Sequence, residues 1–433
     1  MLQDLSVIDP ATVKNEIETE KGELLPETGS WIFNNPSVEE KDGGINLKDL
    51  RMAHSTFTMW WADDQSQVLW IRGDPGKGKT MLAISLIDEI KSRLGRQKLP
   101  SSDKHTLAYF FCIHTDDRKN HVAYILRSLL WQILREHPGL AKPLRLKYDS
   151  EKQDIFSISK TGLQSLLVGL DHTTDNPNFH GYFVIDGLDE CSEKSRDIFL
   201  RYLEKVKTSN EGKRGKIKWL VTVRNEVKLW DGALAISLEE NAQHIEKAIN
   251  QYVSQKVEAL ALDKPYDDYD PTLRTSVENH LRERAKGTFL WVALACKELE
   301  RRKVTADNTM TVLENLPPEL VPLYKRMLDQ VLANEFPSLA TDAIKILHAV
   351  LAAFRPLTFK ELAVAADFPV AERTKERYIK DRVLQCGSFL NIRHATGHIS
   401  LVHQSAKDYL APRHCRDPGE CALTTMYCQN PEK

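Results

Sequence analysis

The chain has 433 residues, 42% of them hydrophobic and 28% charged, which exceeds one ordinary domain and supplies apolar mass for two or three cores. Lys and Arg number 59 against 61 Asp and Glu, a formal net charge of −2 that lacks the basic surplus of a dedicated nucleic-acid or anionic-membrane binder. No apolar run reaches bilayer length, the N-terminus lacks the layout of a secretory signal, and the seven cysteines form no disulfide framework, so the expectation is a cytoplasmic protein with reduced thiols.

In chain order, Val13–Leu25 reads as a helix and is followed by Gly29-Ser-Trp-Ile-Phe33. Residues 34–58 are polar and turn-rich, and the stretch 38–59 reads as an irregular insertion. From Val68 onward strand and helix patterns alternate, as in a parallel sheet covered on both faces. Strands are expected at Val68–Ile71, Leu107–Cys112, Tyr182–Ile185, Ile217–Val223 and Ala235–Leu238. Apolar residues at 3.6-residue spacing place a helix over 120–136, and the polar stretches 171–180 and 207–216 read as surface loops.

After about residue 240 the strand patterns stop, and helices are expected at Ile245–Leu260, Leu273–Ala285, Phe289–Leu299, Leu320–Leu332 and Ala340–Ala353. Short helices then precede a hairpin built from Phe389–Arg393 and His398–His403, with a final helix to Leu410, the layout of a winged helix. The fold class expected is therefore α/β, a P-loop parallel sheet with helices on both faces, followed by an all-α helical domain and a winged-helix domain. The boundaries are a lead-in with its insertion (1–60), the P-loop domain (61–240), the helical domain (241–335), the winged helix (336–411) and a tail (412–433). In the tail, His414, Cys415, Cys421 and Cys428 lack the paired close spacing of a zinc module.

The chemistry centres on Gly73-Asp74-Pro75-Gly76-Lys77-Gly78-Lys79-Thr80, with Met81 opening the following helix. Glycines let successive backbone N–H groups curl around phosphate oxygens. Lys79 supplies a point charge for the β and γ phosphates, Thr80 a hydroxyl for Mg²⁺, and the helix start a partial positive charge. The alternative is a Gly-rich turn that binds nothing. Downstream, an apolar strand ends at Asp186, where a carboxylate can hold Mg²⁺ opposite Thr80. Asp189 and Glu190 follow, and either could orient an attacking water or simply cap the next helix. Arg224 ends a further strand, placed to sense the γ phosphate or to pair with acids such as Glu226. No guanine-selecting segment is present, which favours ATP/ADP.

These motifs resemble the NACHT branch of the signal-transducing P-loop NTPases, and especially fungal NOD-like receptors with a nephrocystin-like NACHT. The resemblance rests on Gly73–Thr80, Tyr109-Phe-Phe-Cys112, Leu126-Arg-Ser-Leu-Leu130, Asp186-Gly-Leu-Asp-Glu-Cys191, Gly287-Thr-Phe-Leu-Trp291 and Leu316-Pro-Pro-Glu-Leu320. Arg355-Pro-Leu-Thr358 and Val402-His403-Gln-Ser-Ala-Lys-Asp-Tyr-Leu410 are similar to the family's winged helix. The resemblance implies a molecular switch: ADP keeps the module closed, and exchange for ATP opens it and promotes homo-oligomerisation. It also implies protein effectors or sensors acting in trans, and a contact between His403 and the bound diphosphate; the plain alternative is a histidine packed at a strand end. Such receptors carry an N-terminal effector domain and a C-terminal repeat array, so this chain reads as a truncated or minimal member. Retention of nucleotide without turnover and a nucleic-acid-stimulated ATPase are the other functions considered.

Overall fold

In a computed structural model, the described residues are 1–21, 29–34, 47–63, 67–96, 104–151, 155–208, 216–263, 270–301, 304–333, 336–392 and 397–411. The chain divides into two compact units, residues 1–248 and 249–433, with the divide inside helix Ala242–Asp263.

The first unit is built on five parallel strands: β1 (Gln67–Arg72), β2 (Lys104–Phe111), β3 (Phe179–Asp186), β4 (Lys216–Val223) and β5 (Leu234–Ser237). Their order is β2-β3-β4-β1-β5, so β4 lies between the strand that feeds the glycine-rich loop and the strand that ends in acids. β1 and β4 show near-continuous burial, as strands covered on both faces must. Trp70, Phe110, Phe183 and Trp219 join one apolar cluster with helices Val122–Glu136, Lys160–Thr174 and Glu193–Thr208. The alternating residues Leu69, Ile71 and Leu220 are fully buried outside that cluster, and helix Lys79–Arg96 packs on β2, β3 and β4. Both faces are thus covered, and the α/β expectation holds.

Two expectations need correction. The stretch read as an irregular insertion holds most of helix Leu47–Ala62. Ala53, Phe57 and Trp60 fall at i, i+4 and i+7 on one buried face. Trp61 stacks on Tyr182 of β3 at 5.0 Å, and Arg93 lies over the Phe57 and Trp61 rings at 5.2 and 5.1 Å. The glycine-rich polar residues just upstream masked this periodicity; residues 35–46 lie outside the described ones. Likewise, residues 171–174 and 179–180 belong to helix Lys160–Thr174 and β3 rather than to a loop, leaving a short turn between them.

In the second unit, helices Pro271–Ala285, Phe289–Leu299, Ala306–Glu314, Leu320–Leu332, Pro337–Ala352, Phe359–Ala365 and Glu376–Gln385 precede an antiparallel pair, β6 (Leu390–Ile392) and β7 (Ile399–Leu401), and helix Gln404–Leu410. The turn at Lys286 and Gly287 has φ of 44° and 72°, which ends Pro271–Ala285 in left-handed backbone. Trp291 is buried and its indole donates to the Pro317 carbonyl at 2.7 Å. Arg355 ion-pairs with Glu361, whose carboxylate also closes a capping box with Thr358. The tail with its three cysteines lies outside the described residues. Among the described residues no helix is long and apolar enough to cross a membrane.

Candidate functional site

The glycine-rich loop leaves β1 at the sheet's carboxyl edge and runs into helix Lys79–Arg96. Gly76 and Gly78 have φ of 79° and 86°, a region where a Cβ would be strained. These two glycines turn the loop back over the helix start, where backbone N–H groups lack partners within the helix. Asp74 is braced from the segments that follow β4 and β5. Its N–H donates to Glu239 Oε1 at 2.8 Å, and its Oδ1 accepts from Asn225 Nδ2 at 2.8 Å. Burial raises the Glu239 carboxyl, but hydrogen bonds from Asp74, its own N–H, Asn225 and Ser237 outweigh it and hold the group below its usual range.

Lys79 folds onto its own loop, donating to the carbonyls of Gly73 at 2.6 Å and Asp74 at 3.0 Å. Burial lowers its ammonium from the ordinary range, while Asp189, Asp186 and Glu190 pull it back up and Arg224 pushes it down. The carboxyl ends of β1, β4 and β3 are neighbours in the sheet, which puts Lys79 in the field of three carboxylates and a guanidinium far from it in sequence. Pro75, Lys77, Thr80 and Met81 are half-buried beside them in the loop and the first helical turn.

The acids are not equivalent. Asp186, 4% exposed, ends β3 and accepts from the Thr222 hydroxyl at 2.7 Å. Thr222 in turn accepts from the Gly187 N–H at 2.8 Å, so one β4 hydroxyl fixes both the carboxylate and the turn behind it. Gly187 has φ of 69°, and the Cys112 N–H donates to the Asp186 carbonyl at 2.9 Å. Asp189 is taken by Arg224: the backbone N–H reaches Oδ1 at 3.1 Å and Nε reaches Oδ2 at 3.0 Å. Between the two roles read for Arg224 from sequence, its partner here is Asp189, across the β3–β4 boundary. Glu190 is half-buried and accepts from the His114 N–H at 2.9 Å. Burial, reinforced by Asp189 and Asp186, pushes its carboxyl up to about 8 against the pull of His114 and Arg224.

His403 belongs to the other compact unit, where its Nδ1 caps helix Gln404–Leu410 by accepting from the Ser405 N–H at 3.1 Å. Sequence reasoning missed Thr222, His114, Asn225 and Glu239. Thr222 did leave a trace, being a hydroxyl in the otherwise apolar run Trp219–Val223.

The order of the strands, the glycine loop at the edge of β1 and the acids at the edge of β3 describe a P-loop NTPase. Residues 50–224 match the family model described as Nephrocystin 3, N-terminal. The chain is also 32% identical over 415 residues to the Vegetative incompatibility protein HET-E-1 of Podospora anserina. These matches make the chain similar to the nephrocystin-like, NACHT-type P-loop NTPases and to a fungal incompatibility protein. The alignment takes in 94% of this chain and 28% of HET-E-1, so the chain spans less than a third of that relative's length. Solved structures are far more distant. The Aeropyrum pernix ORC2 protein in ADPNP–ADP complexes is 12% identical with a TM-score of 0.35, over 86% of this chain and 93% of that one. The Thermotoga maritima RuvB Holliday junction branch migration motor is 12% identical with a TM-score of 0.29, over 87% of this chain and 97% of that one.

Proposed function

We propose that this chain is an ATP/ADP-binding switch that hydrolyses slowly and passes between a closed ADP state and an open, homo-oligomerising ATP state. The observation that carries the reading is the adjacency of β1, β4 and β3, which brings Lys79, the Arg224–Asp189 pair, Asp186 and Glu190 to one carboxyl edge of the sheet, beside a loop shaped for phosphate. Gly73 to Met81 would hold the phosphates, with Lys79 turning from its loop carbonyls toward them. Thr80 and Asp186 would hold Mg²⁺, which supplies charge neutralisation across the phosphates. The fit lies in the donor set: a helix-start hydroxyl and a carboxylate whose orientation Thr222 fixes. In this reading Glu190 orients the attacking water, while Arg224 holds Asp189 and senses the γ phosphate. His403 would contact the diphosphate in the closed state, and effector or sensor proteins would act in trans.

One observation favours a second reading, in which nucleotide is retained without turnover. A Glu190 carboxyl at about 8 is mostly protonated at neutral pH, and a protonated acid accepts no proton from water. The deciding measurement is the nucleotide content of freshly purified protein, released by denaturation and separated by ion exchange, beside Lys79→Ala. About one ADP per chain, lost in the variant, is the expected result. Empty protein that turns over ATP freely refutes the closed switch. Bound ADP with no turnover of added ATP selects the retaining module.

A further inference from the structure

Glu190 is gripped from a direction that its own motif does not reveal. The loop after β2, Ile113-His-Thr-Asp-Asp-Arg-Lys-Asn120, meets each residue of the segment 190–192 or lies next to one that does. The His114 N–H donates to Glu190 Oε2 at 2.9 Å, and the His114 ring Nδ1 lies 3.2 Å from the Glu190 backbone carbonyl. A carbonyl only accepts, so Nδ1 carries the ring proton in this contact. The Cys112 and Cys191 thiols are 3.6 Å apart, and the Ser192 N–H donates to the Asn120 carbonyl at 2.8 Å.

The loop is itself braced. Asp116, only 2% exposed, receives Arg118 Nε at 3.0 Å and Nη2 at 2.9 Å, with Lys119 at 3.7 Å. Burial raises the Asp116 carboxyl, but these cations outweigh it and hold it below the usual carboxylate range. Asn120 Nδ2 donates back to the His114 carbonyl at 3.2 Å, closing the loop on the residue that touches Glu190.

We infer that His114 is a positioning residue for Glu190, its ring anchoring the acid's backbone while its N–H sets the carboxylate's direction. The loop 113–120 is the bracket that holds it. This rests on Glu190 being the water-orienting acid. An acid that acts on water must be held in a narrow range of directions, and a loosened backbone widens that range at the cost of rate rather than nucleotide affinity.

The test compares wild type, His114→Ala and His114→Asn; the Asn amide can present an N–H to the same carbonyl. Three quantities are measured: ADP and ATP affinity with a fluorescent nucleotide, single-turnover ATP hydrolysis, and amide hydrogen exchange of a peptide covering 187–192. In His114→Ala, hydrolysis is expected to slow about tenfold and exchange to quicken about tenfold, with affinities within about twofold of wild type. His114→Asn should restore both. Unchanged hydrolysis and exchange in His114→Ala, or an affinity that falls in step with the rate, overturns the inference. If wild type binds nucleotide but never turns it over, the hydrolysis reading fails. The exchange comparison then decides the anchoring alone: unchanged exchange refutes it, and faster exchange restored by Asn upholds it.

Discussion

Replacing Glu190 by Gln keeps the shape and the hydrogen-bond acceptor that meets the His114 N–H, and removes only the ionisation. The folded carboxyl sits at about 8 against an ordinary value of 4.5. Between those values the unfolded chain has released this proton while the folded chain keeps it. Folding therefore binds a proton at this group, and its contribution to wild-type stability falls as pH rises from about 4.5 to 8. Between pH 6 and pH 8 the loss from this group comes to about 2 kcal/mol by linkage, trimmed toward about 1 kcal/mol because part of the side chain is open to water. Glu190→Gln has no such term. Urea unfolding of nucleotide-free wild type and variant, followed by tryptophan fluorescence, gives the two stabilities at each pH. Other titrating groups cancel in the difference between the two proteins. The variant should gain on wild type by that amount between pH 6 and pH 8. A difference that stays constant, or that shrinks as pH rises, refutes the account of Glu190 as a carboxyl held neutral by burial.

Thr222→Val removes a fully buried hydroxyl that serves both Asp186 and Gly187, and should lower stability by about 2 kcal/mol in denaturant unfolding; Thr222→Ser should recover most of it. Cys112, Cys191, Cys296 and Cys386 are buried free thiols. Burial pushes the Cys296 thiol up to about 12 and raises Cys112 and Cys386 as well. An aromatic disulfide reagent should therefore titrate at most three of the seven cysteines quickly in the native protein, and all seven after unfolding. A rapid phase exceeding three thiols would contradict the packing described.

The phosphate loop, the strand that feeds it, the helix that leaves it and the acids after β3 were all legible in the sequence, because each is a local pattern. A strand needs its apolar run, a left-handed turn its glycine, and a helix its 3.6-residue spacing, and these rules act over a few residues. Helix Leu47–Ala62 obeyed the same rule, yet its Ala53, Phe57 and Trp60 face was hidden by the turn residues preceding it. Only the tertiary structure decided how those pieces meet. The insertion of β4 between β1 and β3 brings Arg224 to Asp189 and Thr222 to Asp186, across 35 and 36 residues of chain. Arg224 could equally have met Glu226 on sequence grounds; the order of the strands chose Asp189. The closing of the β2 loop over Glu190 joins residues 76 positions apart, His114 and Glu190. Hydrogen bonds and charges act over a few ångströms of space whatever the distance along the chain. The sequence by itself therefore determined which groups are present, and the packing of the sheet determined which of them touch.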